Sequence, residues 1–254
     1  MSRRSLAIIG LIGGAALTGI SIWALLRDRR RRQLGGAITG RASTAGLLRE
    51  SVARNGRVTK VYAKKQIPIE KRIALIQGHI AEAVKDPEMR KLALAITGQG
   101  GRVTFGTRTL NIAGANCPAR DGVCEARAIY DFKRAHLRYT GDIAPHKQMN
   151  GVVEPIDLFQ SPQTTIEFGG DDCDGHAAVG ASLALLNQLP ANLVVGAPNR
   201  HPTDDDYEHI WEEAYVGGPI KKGPDEYVPI DTGNDQPNFF GKRAPHKSKL
   251  EFVA

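Results

Sequence analysis

Phe168 to Leu189 reads FGGDDCDGHAAVGASLALLNQL, and its first half has a different character from its second. Two glycines and two aspartates make a turn, after which Ala, Val and Leu continue without a break into an apolar helical run. Asp171 or Asp172 is placed to cap that helix, which puts Cys173 in or near its first turn. A thiol there faces the positive end of the helix dipole and backbone N–H groups that lack helical partners. Both favour thiolate, and the same donors can stabilise an oxyanion. The flanking carboxylates oppose the thiolate, so the chemistry requires a cationic partner elsewhere in the chain.

Downstream, Glu208 to Val216 (EHIWEEAYV) has the β-rich composition of a strand, with His209 at its start. Glu226 to Asp231 (EYVPID) predicts a second strand across the Gly217–Pro224 turn. An antiparallel hairpin of the two sets Asp231 beside His209. A nucleophile on a helix start, a base on one strand and an orienting carboxylate on the next is the arrangement thiol acyl chemistry uses. The separations are 209 − 173 = 36 and 231 − 209 = 22 residues, short enough for one compact catalytic half.

GGDDCDGHAAVGASLALL, HIWEEAYV and YVPIDTG resemble the cysteine, histidine and aspartate boxes of the transglutaminase-like superfamily. DFKRAHLRYTGDIAP and FQSPQTTIEFGGDDCD resemble the approach to the cysteine box in the phage and prophage members. The resemblance covers residues 67–235. It implies an α+β, papain-like fold in which a helical half carries the cysteine against an antiparallel sheet. It further implies Cys173 as nucleophile, His209 as general base and acid, and Asp231 as orienting group. Gln160 is the candidate side-chain oxyanion donor and Gln163 the second choice. Where many relatives carry a second aspartate, this chain has Asp174, Gly175 and His176. His176 then either tunes the thiolate or is a hydrogen-bonded helix histidine, the blander and favoured reading.

The rest of the chain organises around this core. Ile69, Ile73, Ile76 and Ile80 predict a helix over Ile67–Val84, and Asp86 before Pro87 starts another through Ile96. Val103–Ile112 alternates weakly, and Asp121–Arg138 returns to helix. Residues 33–66 read as a linker with one short helix near Ala45–Ala53, and residues 236–254 as a basic tail. The loop Gly196–Tyr207 is expected to border the cleft, with Trp211 packing under the site. Asp171, Asp172, Asp174 and the Asp204–Asp206 run lack the spacing of a calcium loop, so neither metal nor other cofactor is expected.

Residues 1–32 have a separate character. Leu6–Leu26 carries no charge and is flanked by Arg3 and Arg4 and by Arg27 and Arg29–Arg32. As a helix it would cover about 30 Å, enough for a bilayer core. It reads as a retained single-pass anchor into a lipid bilayer. The heavier positive flank follows it, placing the C-terminal domain on the cytoplasmic side or inside a membrane-containing virion. Gly10 and Gly14 could bring two anchors into a dimer, although glycine is common in such helices.

The formal charge of +7 is concentrated near the two ends, which disfavours specific nucleic-acid binding and matches membrane-flanking charge. Three cysteines make no disulfide framework or metal site. A Cys117–Cys124 bridge is compatible with the sequence but not required by it, and Cys173 is the odd thiol. The expected activity is that of a virus- or prophage-associated hydrolase or acyltransferase, a thiol protease in kind. Its substrate would be an amide of a protein, of peptidoglycan or of a viral structural protein. A non-catalytic adaptor of a virion that keeps the fold is the alternative.

Overall fold

The computed structural model describes residues 47–52, 58–63, 68–140, 147–149, 152–154, 156–203, 207–217, 226–233, 240–242 and 245–254. The apolar segment Leu6–Leu26 and the aspartates Asp204–Asp206 lie outside them. Among the described residues no helix is long and apolar enough to cross a membrane.

Strands β1 (Leu47–Val52) and β2 (Val58–Ala63) open the described chain, followed by helices α1 (Ile69–Ala83) and α2 (Pro87–Thr97). The isoleucines that predict α1 are the ones it buries: Ile69, Ile73, Ile76 and Ile80. Each removes a branched side chain from water, worth about 2 kcal/mol. Asp86 caps α2 as its sequence predicts, accepting from the N–H groups of Glu88 and Met89 at 2.8 and 3.3 Å with Pro87 at the first helical position. A hairpin of β3 (Gly101–Phe105) and β4 (Arg108–Ile112) leads to α3 (Gly122–His136), whose N-cap is Asp121. A disulfide joins Cys117 to Cys124 across the entry to α3.

Short strands β5 (Arg138–Tyr139), β6 (Lys147–Met149), β7 (Val152–Glu154) and β8 (Ile156–Gln160) follow. Next come α4 (Pro162–Phe168), the two-residue β9 (Gly170–Asp171) and α5 (Cys173–Leu186). Helix α5 is the centre of the molecule, buried continuously from Asp174 to Ala184 and packed against α1, α2, α3 and α4. Its apolar character all round is the composition a fully buried helix needs. Against it lies a four-stranded antiparallel sheet, built from β10 (Ala191–Ala197), β11 (His209–Tyr215), β12 (Tyr227–Pro229) and β13 (Ser248–Val253) in the order β12-β11-β10-β13.

Two expectations change. The region of the expected short helix, Ala45–Ala53, holds strand β1, and β1 pairs with β2, which pairs in turn with β8. A stretch without helical periodicity takes its hydrogen bonds from neighbouring strands, so the segment read as a linker contributes two strands to a sheet. The C-terminal residues read as a basic tail contain β13, which pairs with β10 along six residues from Asn192↔Val253 to Ala197↔Ser248. Lys249 and Glu251 alternate there with Leu250 and Phe252, an edge-strand pattern in which charge masked the period of two.

Candidate active site

Cys173 is the first residue of α5 and is a free thiol. Asp172 is the N-cap, although its side chain makes no capping bond. The neighbouring Asp171 is buried and does other work. It accepts from Gln160 Nε2 at 3.1 Å, from Thr165 Oγ1 at 2.7 Å and from the N–H of Asp172 at 3.0 Å. Burial and the charge of Asp172 still push its carboxyl up to about 7, against the pull of those three donors. Gly175 is required beside it, because a Cβ there would lie 2.0 Å from Asp171 Oδ2. The GGDDCDG turn is thus a small polar knot that fixes where α5 begins.

On the other side of the cleft, β11 and β12 pair antiparallel with Glu213↔Pro229 and Tyr215↔Tyr227. Carried past Pro229, that register brings Asp231 alongside the start of β11. His209 Nε2 meets Asp231 Oδ2 at 2.8 Å, and Asp231 Oδ1 accepts from the N–H of Gly233 at 2.8 Å. Gly233 allows this approach, since a Cβ there would stand 2.7 Å from His209 Cε1. Burial works to raise Asp231, but its bond to His209 and the charges of His209 and Lys133 outweigh it and hold the carboxyl below its usual value. A carboxylate only accepts, so His209 Nε2 carries the proton and Nδ1 is the nitrogen left as base.

Cys173 and His209 line one cleft, together with Ile69, Arg72, Phe159, Asp172, Asp174, Tyr207, Glu208 and Ile210. Tyr207 brings the end of the Gly196–Tyr207 loop to that cleft, and Trp211 is buried with its ring 5.6 Å from that of His209. Gln160 and Gln163 do not line it. The Gln160 amide is spent on Asp171, and Gln163 Nε2 donates to Asp86 at 2.9 Å, tying α4 to the cap of α2. The oxyanion role read onto Gln160 is therefore not supported by its position: it braces the turn before Cys173. His176 does not line the cleft, and its Nδ1 lies 2.8 Å from Thr232 Oγ1 and its Nε2 3.3 Å from the carbonyl of Arg138. That carbonyl can only accept, so Nε2 donates and Nδ1 accepts from the threonine. Burial and Lys133 push His176 down to about 3, leaving it a neutral strut between α5 and the segment after Asp231.

Asp171, Asp172 and Asp174 gather their carboxylates within 4.8 Å. Asp171 already holds three donors, and Asp174 Oδ1 accepts from the N–H of Gly175 at 2.8 Å. Both Asp171 oxygens and one of Asp174 are thus engaged by protein donors, whereas the buried Oδ1 of Asp172 has no hydrogen-bond partner.

Residues not singled out in the sequence complete the histidine side. Lys133 on α3 and Glu212 on β11 form a fully buried ion pair, and Lys133 Nζ also donates to the carbonyl of Ile230 at 3.0 Å, one residue before Asp231. Gly180 of α5 leaves room for Glu212, whose Oε1 would stand 1.7 Å from a Cβ. Burial pushes Glu212 up to about 8, with Lys133 offsetting only part. Lys133 did carry a signal: it is four residues from both Ile129 and Leu137, on the apolar stripe of α3. A lysine on such a stripe needs a buried partner.

The family model of the transglutaminase-like superfamily matches residues 111–232, a span that includes Cys173, His209 and Asp231. No curated protein and no solved structure matches the chain.

Proposed function

We propose, from the transglutaminase-like superfamily domain at residues 111–232, that this protein is a thiol enzyme acting on amide bonds through a cysteine acyl-enzyme. The observation that carries the reading is the 2.8 Å His209–Asp231 bond at a cleft that also holds the helix-start thiol of Cys173. With Nε2 held by Asp231, His209 Nδ1 takes the proton of Cys173 and the thiolate attacks the amide carbonyl carbon. Backbone N–H groups of the first turn of α5 receive the developing oxyanion. As the C–N bond breaks, His209 returns its proton to the leaving amine and a thioester remains. Water, deprotonated by the same imidazole, then releases the acid and restores the thiol. Hydrolysis is the favoured outcome, and an amine in place of water gives transamidation.

The setting is also a proposal. Leu6–Leu26 would anchor the enzyme in a bilayer, and the resemblance to phage and prophage proteins supports a setting in a virion or at a cell envelope. Its substrate would be a protein, a viral structural protein or a peptidoglycan peptide. The arginine flank argues for a cytoplasmic domain, whereas the Cys117–Cys124 bridge is the chemistry of an oxidising compartment and argues the other way. Release of the full-length chain from membranes by alkaline wash would refute the anchor.

The activity is tested by alkylation of full-length protein with iodoacetamide near neutral pH. With Cys117 and Cys124 bridged, Cys173 is the thiol that reports. Fast labelling that drops about 100-fold in His209→Ala and about tenfold in Asp231→Asn is expected of a working triad. Slow labelling equal in all three would instead leave a non-catalytic adaptor that keeps the fold.

A further inference from the structure

The segment before β13 crosses the sheet beside His209. Its His246 ring lies 5.9 Å from the His209 ring at 28° and 5.2 Å from the Trp211 ring at 17°, so the three rings pack nearly parallel. The space for it comes from Gly196, the residue paired with His209 across β10 and β11. A Cβ at Gly196 would stand 2.4 Å from His246 Cγ and Cδ2. The crossing is pinned on the next residue, where the Lys247 N–H donates to the Ala197 carbonyl at 3.0 Å, and Ser248 Oγ donates to the Arg200 carbonyl at 2.8 Å. Lys249 completes the cover with its ammonium 5.4 Å from the Trp211 ring.

One detail separates shape from polarity. The buried Nε2 of His246 makes no hydrogen bond. An imidazole kept for its hydrogen bonding would use that atom, since an unpaired buried nitrogen is unfavourable. What His246 provides is a flat ring in a slot that only a glycine leaves open. The groups facing it are His209 and Trp211 on β11, Lys249 on β13, Asp231 beyond β12 and Glu208 ahead of β11.

We propose that His246 is a positioning residue of this enzyme: its ring, held over Gly196 and against Trp211, clamps the His209 imidazole in the orientation that keeps Nε2 on Asp231 and Nδ1 toward Cys173. The proposal rests on the thiol-enzyme reading above, and it assigns a part in the site to the last stretch of the chain, beyond the residues that the family model matches. A base that can swing loses reactivity steeply with small misplacement.

The test compares wild type, His209→Ala, His246→Ala and His246→Phe as full-length proteins, following iodoacetamide labelling of Cys173 across pH 5 to 9, with thermal melting as a control. His246→Ala should label about tenfold more slowly near neutral pH, with a pH dependence that follows His209→Ala rather than wild type. His246→Phe, which keeps the ring and has no orphaned nitrogen, should label within about twofold of wild type. Equal labelling of His246→Ala and wild type, with His209→Ala slow, overturns the clamp and leaves the enzyme reading intact. His246→Phe as slow as His246→Ala, with both folded, also overturns it. If His246→Ala does not fold, His246→Phe decides alone. Labelling of His209→Ala at the wild-type rate defeats the underlying thiol-enzyme reading.

Discussion

The two sides of the cleft are built in opposite ways. On the cysteine side the side-chain bonds of Asp171 are local, although its backbone also pairs with β5: Asp171 draws its donors from Gln160, Thr165 and Asp172, and Gly175 makes room for it, all within sixteen residues of sequence. On the histidine side, apart from the bond that Asp231 accepts from the Gly233 N–H, the contacts reach much further along the chain. His209 is oriented by Asp231, Asp231 follows a carbonyl held by Lys133 of α3, Gly196 comes from β10 and His246 from the segment before β13. Cys173 is held mainly by its own turn, whereas His209 is held by segments from across the fold. Damage far from the cleft should therefore reach His209 before it reaches Cys173.

The largest test of that contrast is Lys133→Met. It leaves Glu212 alone in the core, where loss of one partner of a buried pair costs about 3–5 kcal/mol. We expect about 3, because Glu212, already pushed up to about 8, can take a proton and lose its charge. Urea unfolding measures this, and Lys133→Met with Glu212→Leu should recover most of the stability. A single mutant as stable as wild type would show that the pair does not hold the histidine side.

Gly175→Ala is smaller and acts on the other side. Its methyl would overlap the Asp171 carboxylate at 2.0 Å, and overpacking of this kind costs about 1–3 kcal/mol. Cys173 labelling should fall while a probe of Trp211 fluorescence stays unchanged. A change in both signals together would mean the two sides are not separable.

The smallest expected effect is a pH slope. Asp171 is raised from 3.8 to about 7, so its protonated form is favoured by folding. Its contribution is fully present below the unfolded value and is lost as pH rises through about 7. Asp231 has the opposite sign: it is depressed, so its contribution holds above its unfolded value and is lost as pH falls through the folded one. Asp171→Asn should therefore flatten the decline in melting temperature between about pH 4 and 7. Glu212, raised from 4.5 to about 8, adds a decline of the same sign and will remain. No change in slope on Asp171→Asn would remove Asp171 from the account.

How much of this was legible in the sequence follows the same division. The four isoleucines of α1, the Asp86–Pro87 start of α2 and the cysteine at the start of α5 were readable because period, cap and turn are local properties of the chain. The His209 and Asp231 strands were readable as strands, and their order gave the antiparallel pairing. Gln160 reads as an oxyanion candidate because its amide lies near Cys173 in sequence, while the partner it has in the structure, Asp171, is a competing acceptor that sequence order does not rank. Strands β1, β2 and β13 were misread because short strands with charged alternate positions look like linker until a neighbour pairs with them.

By itself, then, the sequence determined where the helix of Cys173 starts, which segments form the His209 and Asp231 strands and in what chain order they come, because caps, turns and strand periods depend on interactions a few residues long. Only the tertiary structure decided that Lys133 steadies the Asp231 segment, that Gln160 serves the turn, and that His246 returns from the C-terminal stretch to cover His209. Those contacts join residues as far apart as 97 positions, in the Lys133–Ile230 bond, and it is the packing of α5 against the sheet that brings such distant segments within bonding reach.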